Sequence, residues 1–169
     1  MEIINATNSD FDSVFSEIEK NFIEDERRDY INAKKLFLDG KYSILHFLVD
    51  GEKVGFITAW DLPDFVFFEH FVVYEGFRNR GYGSLALDAL KSRFKRAVLE
   101  AEPPHTPLAE RRLNFYKRCG FTADSHPYLQ PSYRKDGSPV PLVLMSYPEP
   151  LEDFEGAIST IYEKVYSCI

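Results

Sequence analysis

The stretch Phe71-Val72-Val73-Tyr74-Glu75-Gly76-Phe77-Arg78-Asn79-Arg80-Gly81-Tyr82-Gly83-Ser84 reads as a strand, a loop with closely spaced glycines and the start of a helix. Glycines there let successive backbone N–H groups line a concavity, and a helix N-terminus adds partial positive charge. Such a segment suits a phosphate or pyrophosphate. Three phosphate-binding patterns compete for it. A dinucleotide fingerprint wants a third glycine where Ala86 stands, an ending some variants tolerate. It also wants a parallel βαβ context, whereas antiparallel hairpins precede the segment here. Gly76 and Gly81 have P-loop spacing, but Tyr82-Gly83 replaces the Lys-Ser/Thr pair that would hold phosphates and metal. The third pattern, Arg/Gln-x-x-Gly-x-Gly/Ala, is met by Arg78, Gly81 and Gly83.

The elements that must position this loop can be read on either side of it. Residues 1–7 form a first strand. Ser9-Phe11-Asp12 fits a capping box, and Phe11, Val14, Phe15, Ile18 and Phe22 follow at helical spacing. A second helix ends near Leu38, with Gly40 as its stop. Asp50-Gly51 joins strands 42–49 and 53–60 as a hairpin, because glycine accepts the positive φ of a tight turn. Residues 65–73 make a third extended run, 84–96 a helix, 98–101 a short strand and 109–119 a helix ended by Gly120. Phe121 and residues 141–147 bracket a long hairpin, and Phe154, Ile158, Ile161, Tyr162 and Val165 mark a last amphipathic helix. Strands first, then strands interleaved with helices, suggest a mixed α/β sheet.

Composition bounds the function. A chain of 169 residues, 44% hydrophobic and 15% aromatic, can fill the core of one domain. The expected division is a core over residues 1–150 and a C-terminal helix over 151–169. Twenty basic against 27 acidic residues leave a net charge of −7, which argues against nucleic-acid binding. Residues 78–96 nevertheless carry a net +5, compatible with a local anion site or a solvated helix face. No apolar run is long enough to span a membrane. The N-terminus has no secretory pattern, and two cysteines make no disulfide framework, so the expected location is cytoplasmic. His46, His70, His105 and His126 are scattered without ligand spacing, so no metal is expected.

Beyond the glycine loop, the chain resembles the GNAT superfamily of acyl-CoA-dependent N-acyltransferases. Glu69-His70-Phe71-Val72-Val73 resembles that family's fourth strand, 84–96 its following helix, and Leu99-Glu100-Ala101-Glu102 its fifth strand. Phe115-Tyr116-Lys117-Arg118-Cys119-Gly120-Phe121 matches the family's Tyr-x-x-x-Gly-Phe helix ending. These motif-bearing regions cover about a third of the chain; elsewhere the match is one of architecture. One departure is Glu75, where the family often has proline. The resemblance implies a mixed, mostly antiparallel central sheet of about six to seven strands flanked by helices, with an extra C-terminal helix.

The resemblance also implies roles. Acetyl-CoA would be the cosubstrate, without metal, its pantetheine arm lying between splayed fourth and fifth strands. The backbone of Phe71, Val72 and Val73 would meet that arm and the thioester oxygen, although packing alone also explains these side chains. The N–H groups of Arg78, Asn79, Arg80, Gly81, Tyr82, Gly83 and Ser84 would hold the pyrophosphate, with Asn114 and Lys117 as further contacts or plain surface residues. An alkylammonium must lose its proton before attack, at a cost of about 4.6 kcal/mol at pH 7, so a general base helps. Glu69 and Glu100 are the candidates. Alternation should place Glu69 on the face of Phe71 and Val73, with His70, a weaker candidate, on the opposite face. Tyr116 matches the tyrosine that donates to the departing sulfur. Cys119 as a nucleophile has no histidine or carboxylate near it in sequence and reads better as a buried residue.

The acceptor side is less legible. Residues 22–32 and 128–140 should build it. Glu24, Asp25 and Glu26 favour a cationic amine or serve solubility, and Tyr128, Gln130 and Tyr133 are candidate lining residues. The expected activity is acetyl transfer to a primary amine of a small molecule or a peptide N-terminus, by direct attack in a ternary complex. The second reading is a non-catalytic acyl-CoA sensor or protein-interaction module. Its C-terminal stripe could join a homodimer or could pack on the chain's own sheet.

Overall fold

The computed structural model describes residues 1–134 and 137–168; Lys135 and Asp136 of the second expected acceptor segment lie outside the described residues. In chain order the elements are β1 (Glu2–Asn5), α1 (Phe11–Asn21), α2 (Tyr30–Leu38), β2 (Ser43–Val49), β3 (Glu52–Asp61) and β4 (Val66–Val73). They continue with α3 (Tyr82–Arg93), β5 (Ala97–Ala101), α4 (Pro107–Arg118), β6 (Thr122–Ala123), β7 (Tyr128–Gln130), β8 (Val140–Tyr147) and α5 (Phe154–Lys164). Among the described residues the sheet has eight strands, in the order β1-β2-β3-β4-β5-β8-β6, with β7 also on β8. The pairings given are antiparallel except β4 with β5. The expected sheet is therefore present. The strand count exceeds six to seven because β6 and β7 are only two and three residues long.

Local chemistry explains most boundaries. The β2–β3 turn holds Asp50 at φ 51° and Gly51 at φ 80°, the double positive φ of a tight hairpin. The helix-start signal sits two residues before the expected Ser9: Asp10 Oδ2 accepts from the Thr7 N–H at 2.8 Å, forming a capping box over a short 3₁₀ turn ahead of α1. Thr106 caps α4 by accepting from the Ala109 N–H at 3.1 Å, with Pro107 at the first helical position, where a missing N–H costs nothing. Gly55 is required because a Cβ there would collide with the Val72 carbonyl oxygen across the β3–β4 pair.

Two cores flank the sheet. Phe11, Val14, Phe15 and Ile18 of α1 pack with Trp60, Phe67, Val72 and Val98 on one face. Leu87 and Leu90 of α3 and Leu113 of α4 pack with Phe68, Leu99 and Met145 on the other. Each fully buried side chain of this size contributes about 1.5–3 kcal/mol. The stripe of α5, Phe154, Ala157 and Ile161, together with Val165 beyond it, is buried in the first core. It is packed on the chain's own sheet, the second of the two readings of that stripe. Among the described residues no helix is long and apolar enough to cross a membrane.

Candidate active site

The β4 strand carries an irregularity that alternation does not anticipate. Ile57 lies opposite Phe71 and Ala59 opposite Phe68, so Thr58 of β3 faces two residues, Glu69 and His70. This is a β-bulge, and it reverses the side-chain phase along the strand. Phe67, Glu69 and Val72 face the α1 and α5 side, whereas Phe68 and Phe71 face α3 and α4. Glu69 therefore does not share a face with Phe71 and Val73, and His70 is not opposite Glu69: His70 Nδ1 and Glu69 Oε2 are 3.7 Å apart. Thr58 holds the bulge by accepting from the His70 N–H at 2.9 Å.

The parallel pairing of β4 with β5 runs from Val66–Ala97 through Phe67–Val98 to Phe68–Leu99, its last pair. Beyond that point the strands diverge and a cavity of about 590 Å³ opens through the sheet. Backbone N–H groups along a strand point alternately to its two edges. Tyr74 donates to the Val54 carbonyl of β3 at 3.0 Å, so the Val73 N–H, one residue earlier, faces the opening. The Val73 carbonyl on that edge accepts from Arg78 Nε at 3.0 Å, and Arg78 Nη2 donates to Asn21 at 2.6 Å. Asn79 at φ 62° and Gly81 at φ 79° then bend the chain into α3, whose first-turn N–H groups have no carbonyl partner within the helix. Gly83 seats that turn against α4; a Cβ there would lie 3.2 Å from the Phe115 ring.

Phe71, Val72, Val73, Arg78, Asn79, Gly81, Tyr82, Gly83 and Ser84 all line the cavity, as do Glu69, Glu100 and Tyr116. Arg80, Asn114 and Lys117 do not, and all three are exposed; the Arg80 guanidinium lies 5.7 Å from the Phe77 ring centroid. Cys119 is buried, its Sγ 3.9 Å from Ser84 Oγ, and it is not part of the cavity lining. Among the described residues no three His, Cys, Asp or Glu gather as metal ligands.

The two carboxylates on the α5 side have opposite environments. Glu69 accepts from Arg28 Nη1, from Trp60 Nε1 at 2.9 Å and from the Tyr133 hydroxyl at 2.8 Å, with its side chain only 4% exposed. Burial alone would raise this carboxyl, but Arg28, then His70 and the Trp60 N–H, outweigh it and hold it well below the usual carboxylate range. Arg28 is itself sandwiched, 4.9 Å from the Trp60 ring and 4.7 Å from the Tyr133 ring. Glu100 is held by hydroxyls instead of a cation. It accepts from the Tyr128 hydroxyl and, at 2.9 and 2.7 Å, from the Tyr166 hydroxyl. Burial pushes it up to about 7 against those hydrogen bonds. His70 has both ring nitrogens engaged, near Thr58 Oγ1 at 3.3 Å and the Glu26 carbonyl at 3.2 Å, and burial lowers its proton affinity.

Tyr116 reaches the cavity from α4, on the other face. Burial pushes its hydroxyl up to about 12, so it is a donor and not a ready acid. Sequence reasoning found Tyr128, Gln130 and Tyr133 as candidate lining residues, and Gln130 and Tyr133 do line the cavity. It missed Arg28, Trp60 and Tyr166. Their only signals were a basic residue inside an acidic turn and aromatics at strand and helix positions, which any core would produce.

The sequence matches the family model of the acetyltransferase (GNAT) family over residues 4–121. A solved structure from Bacteroides thetaiotaomicron, assigned to the GNAT acetyltransferases, shares 31% identity at a TM-score of 0.92, with 98% of each chain covered. An aminoglycoside 6′-N-acetyltransferase complexed with coenzyme A aligns at 16% identity and TM-score 0.60, over 90% of this chain and 100% of that one. A structure from Salmonella typhimurium, described as an acetyltransferase with its cofactor acetyl-CoA, aligns at 17% and 0.59, over 90% and 96%. At those identities the last two speak for the fold alone. No curated protein matches the sequence. With the family match spanning most of the chain and the divergent β4–β5 pair beside its glycine turn, the protein belongs to the GNAT acetyltransferase family.

Proposed function

We propose that the protein transfers an acetyl group from acetyl-CoA to a primary amine of a small cationic molecule or a peptide N-terminus, by direct attack in a ternary complex. The observation that carries this reading is the opening between β4 and β5, with the Val73 N–H on one edge and Glu100 on the other. The N–H groups of Phe71 and Val73, on the β4 edge that faces the opening, suit the carbonyls of a pantetheine arm, and the turn from Arg78 to Ser84 suits a pyrophosphate. Acetyl-CoA, when bound there, supplies the acyl thioester. The chain's own contribution is a set of oriented groups on both faces of the cleft. An N–H on the free β4 edge polarises the carbonyl oxygen. Glu100, directly or through one water, takes the proton of the incoming ammonium; a carboxyl poised at about 7 is matched to that task near neutrality. Glu69, held ionised by Arg28, orients the wall instead.

Tyr116 donates a hydrogen bond to the departing sulfur. With its hydroxyl at about 12 and a thiol near ~8.5, full proton transfer is uphill by about 5 kcal/mol, so hydrogen bonding is its role. Tyr116→Phe should lower kcat about 10- to 100-fold, the worth of one hydrogen bond to a charged group. The Kd for CoA, measured calorimetrically, should stay within about twofold.

Support for a cationic acceptor comes from Glu26. It lines the cavity, and burial followed by repulsion from Glu102 raises its proton affinity; Glu102 is paired with Arg112 at 2.7 Å. A cationic acceptor would relieve that repulsion. The test is thermal unfolding with acetyl-CoA, CoA, ATP and NAD, followed by thiol release across monoamines, diamines, amino acids and peptides. Acetyl-CoA at a hundred times its Kd adds about 2.7 kcal/mol, or roughly 5 to 11 °C for this size. Stabilisation by acetyl-CoA and CoA alone, with thiol release favouring di-cations, is the expected outcome. Binding without release on any amine would favour the acyl-CoA sensor, and no stabilisation would remove both readings.

A further inference from the structure

We propose that Tyr166, just beyond α5, and Tyr128 of β7 are positioning residues that hold the Glu100 carboxylate toward the cleft through their hydroxyls, which makes the C-terminal segment part of the catalytic site. The inference rests on Glu100 being the base. Its ground is geometric. The Tyr166 hydroxyl reaches both Glu100 oxygens, at 2.9 and 2.7 Å, and the Tyr128 hydroxyl reaches Oε1. Both tyrosines are buried, so neither donor is free to swing into water.

The segment that carries Tyr166 is itself anchored to the other carboxylate. Arg28 Nη2 donates to the Val165 carbonyl at 2.6 Å while Nη1 pairs with Glu69. Tyr133 closes the arrangement, donating to Glu69 at 2.8 Å and lying 3.4 Å from the Tyr166 oxygen. Residues 165–166 thus tie β4 to β5 just where those strands part. Tyr128, Tyr133 and Tyr166 all lie beyond residue 121, where the family match ends.

The groups facing Glu100 are four neutral tyrosines, Tyr128, Tyr133, Tyr162 and Tyr166, of which only Tyr128 and Tyr166 hydrogen-bond to it, together with Glu69 and Arg28. Because Glu69 and Arg28 neutralise each other, the hydroxyls are the principal support for a charge on Glu100. An ionised carboxylate only accepts hydrogen bonds. Burial and the Glu100 charge keep the Tyr166 hydroxyl protonated, so its proton favours the ionised form, the form a base needs. Without these donors Glu100 would stay protonated at neutral pH.

The test is a ¹³C NMR titration of protein labelled at the glutamate carboxyl carbon, with the Glu100 signal assigned by its loss in Glu100→Gln. Tyr166→Phe and Tyr128→Phe should each move the Glu100 midpoint up by about one unit or more, since a hydrogen bond to a charged group is lost. Tyr162→Phe, whose hydroxyl donates to the Leu129 carbonyl, should leave the midpoint in place. The rising limb of the kcat–pH profile should follow the same shifts. If the midpoint stays put in both folded Tyr→Phe variants while Glu100→Gln is inactive, the positioning role is overturned and the base assignment stands. If Glu100→Gln turns over normally, the base assignment falls on its own account.

Discussion

Glu100→Gln should lower kcat by about 10²- to 10⁴-fold, the usual worth of a positioned general base, while acetyl-CoA affinity stays within about twofold. The reason is placement. Glu100 lines the cavity where β4 and β5 have parted, and hydroxyls rather than a cation hold it, so a substrate ammonium can give it a proton. In the wild type kcat should rise as pH passes through about 7, where Glu100 ionises; in the glutamine variant that limb should vanish. Stability should move the other way. The folded value lies above the unfolded one, so the contribution of Glu100 to stability is fully present below about 4.5 and is lost as pH rises through about 7. Glu100→Gln should therefore melt at or above the wild-type temperature at pH 8 and show no such gain at pH 5. Scanning calorimetry at the two pH values checks the sign. A variant that loses activity and gains stability only above neutrality fits a buried, titrating base; one that loses both at every pH fits a structural residue.

Arg28→Met should be the most destabilising single change in the site, by about 3–5 kcal/mol, a drop of roughly 6 to 20 °C for this length. Arg28 is 3% exposed, pairs with a carboxylate that is 4% exposed, and tethers the Val165 carbonyl. Its removal leaves Glu69 charged and unpaired between Trp60 and Tyr133. The folded value of Glu69 is depressed, so its stabilising contribution is present above the unfolded value near 4.5 and is lost as pH falls below it. The gap between wild type and Arg28→Met should accordingly be widest at neutral pH and narrow in acid. Arg28→Met combined with Glu69→Leu should regain most of the loss, because replacing both members of a buried pair by apolar groups is often close to neutral. Denaturant titration of the three variants across pH reads both effects.

Much of the architecture was legible because its signals are local. Asp50-Gly51 calls for a tight turn whatever surrounds it, and the spacing of Phe11, Val14, Phe15 and Ile18 calls for a helix with one buried stripe. The glycine loop was legible for the same reason: Arg78, Gly81 and Gly83 lie within six residues, and two of the unusual φ angles fall on Asn79 and Gly81. The bulge at Glu69 and His70 was not, since strict alternation predicts one phase and only the pairing with Thr58 across the sheet breaks it. That single extra residue moved Glu69 to the opposite face from Phe71 and next to His70. The Arg28–Glu69–Tyr133–Tyr166–Glu100 arrangement was equally invisible, because its members are brought together from across most of the chain length. The C-terminal helix showed a stripe, but not which surface the stripe would meet.

The claim on which the rest depends is that the parted strands receive acyl-CoA through backbone groups. Residue-resolved hydrogen–deuterium exchange, with and without acetyl-CoA, tests it most directly and needs no acceptor. The amides of Phe71 and Val73 and those of Gly81 to Ser84 should exchange more slowly with acetyl-CoA or CoA present, and at their free-protein rates with ATP. Unchanged exchange at Phe71 and Val73 under saturating acetyl-CoA, in folded protein, would contradict the account.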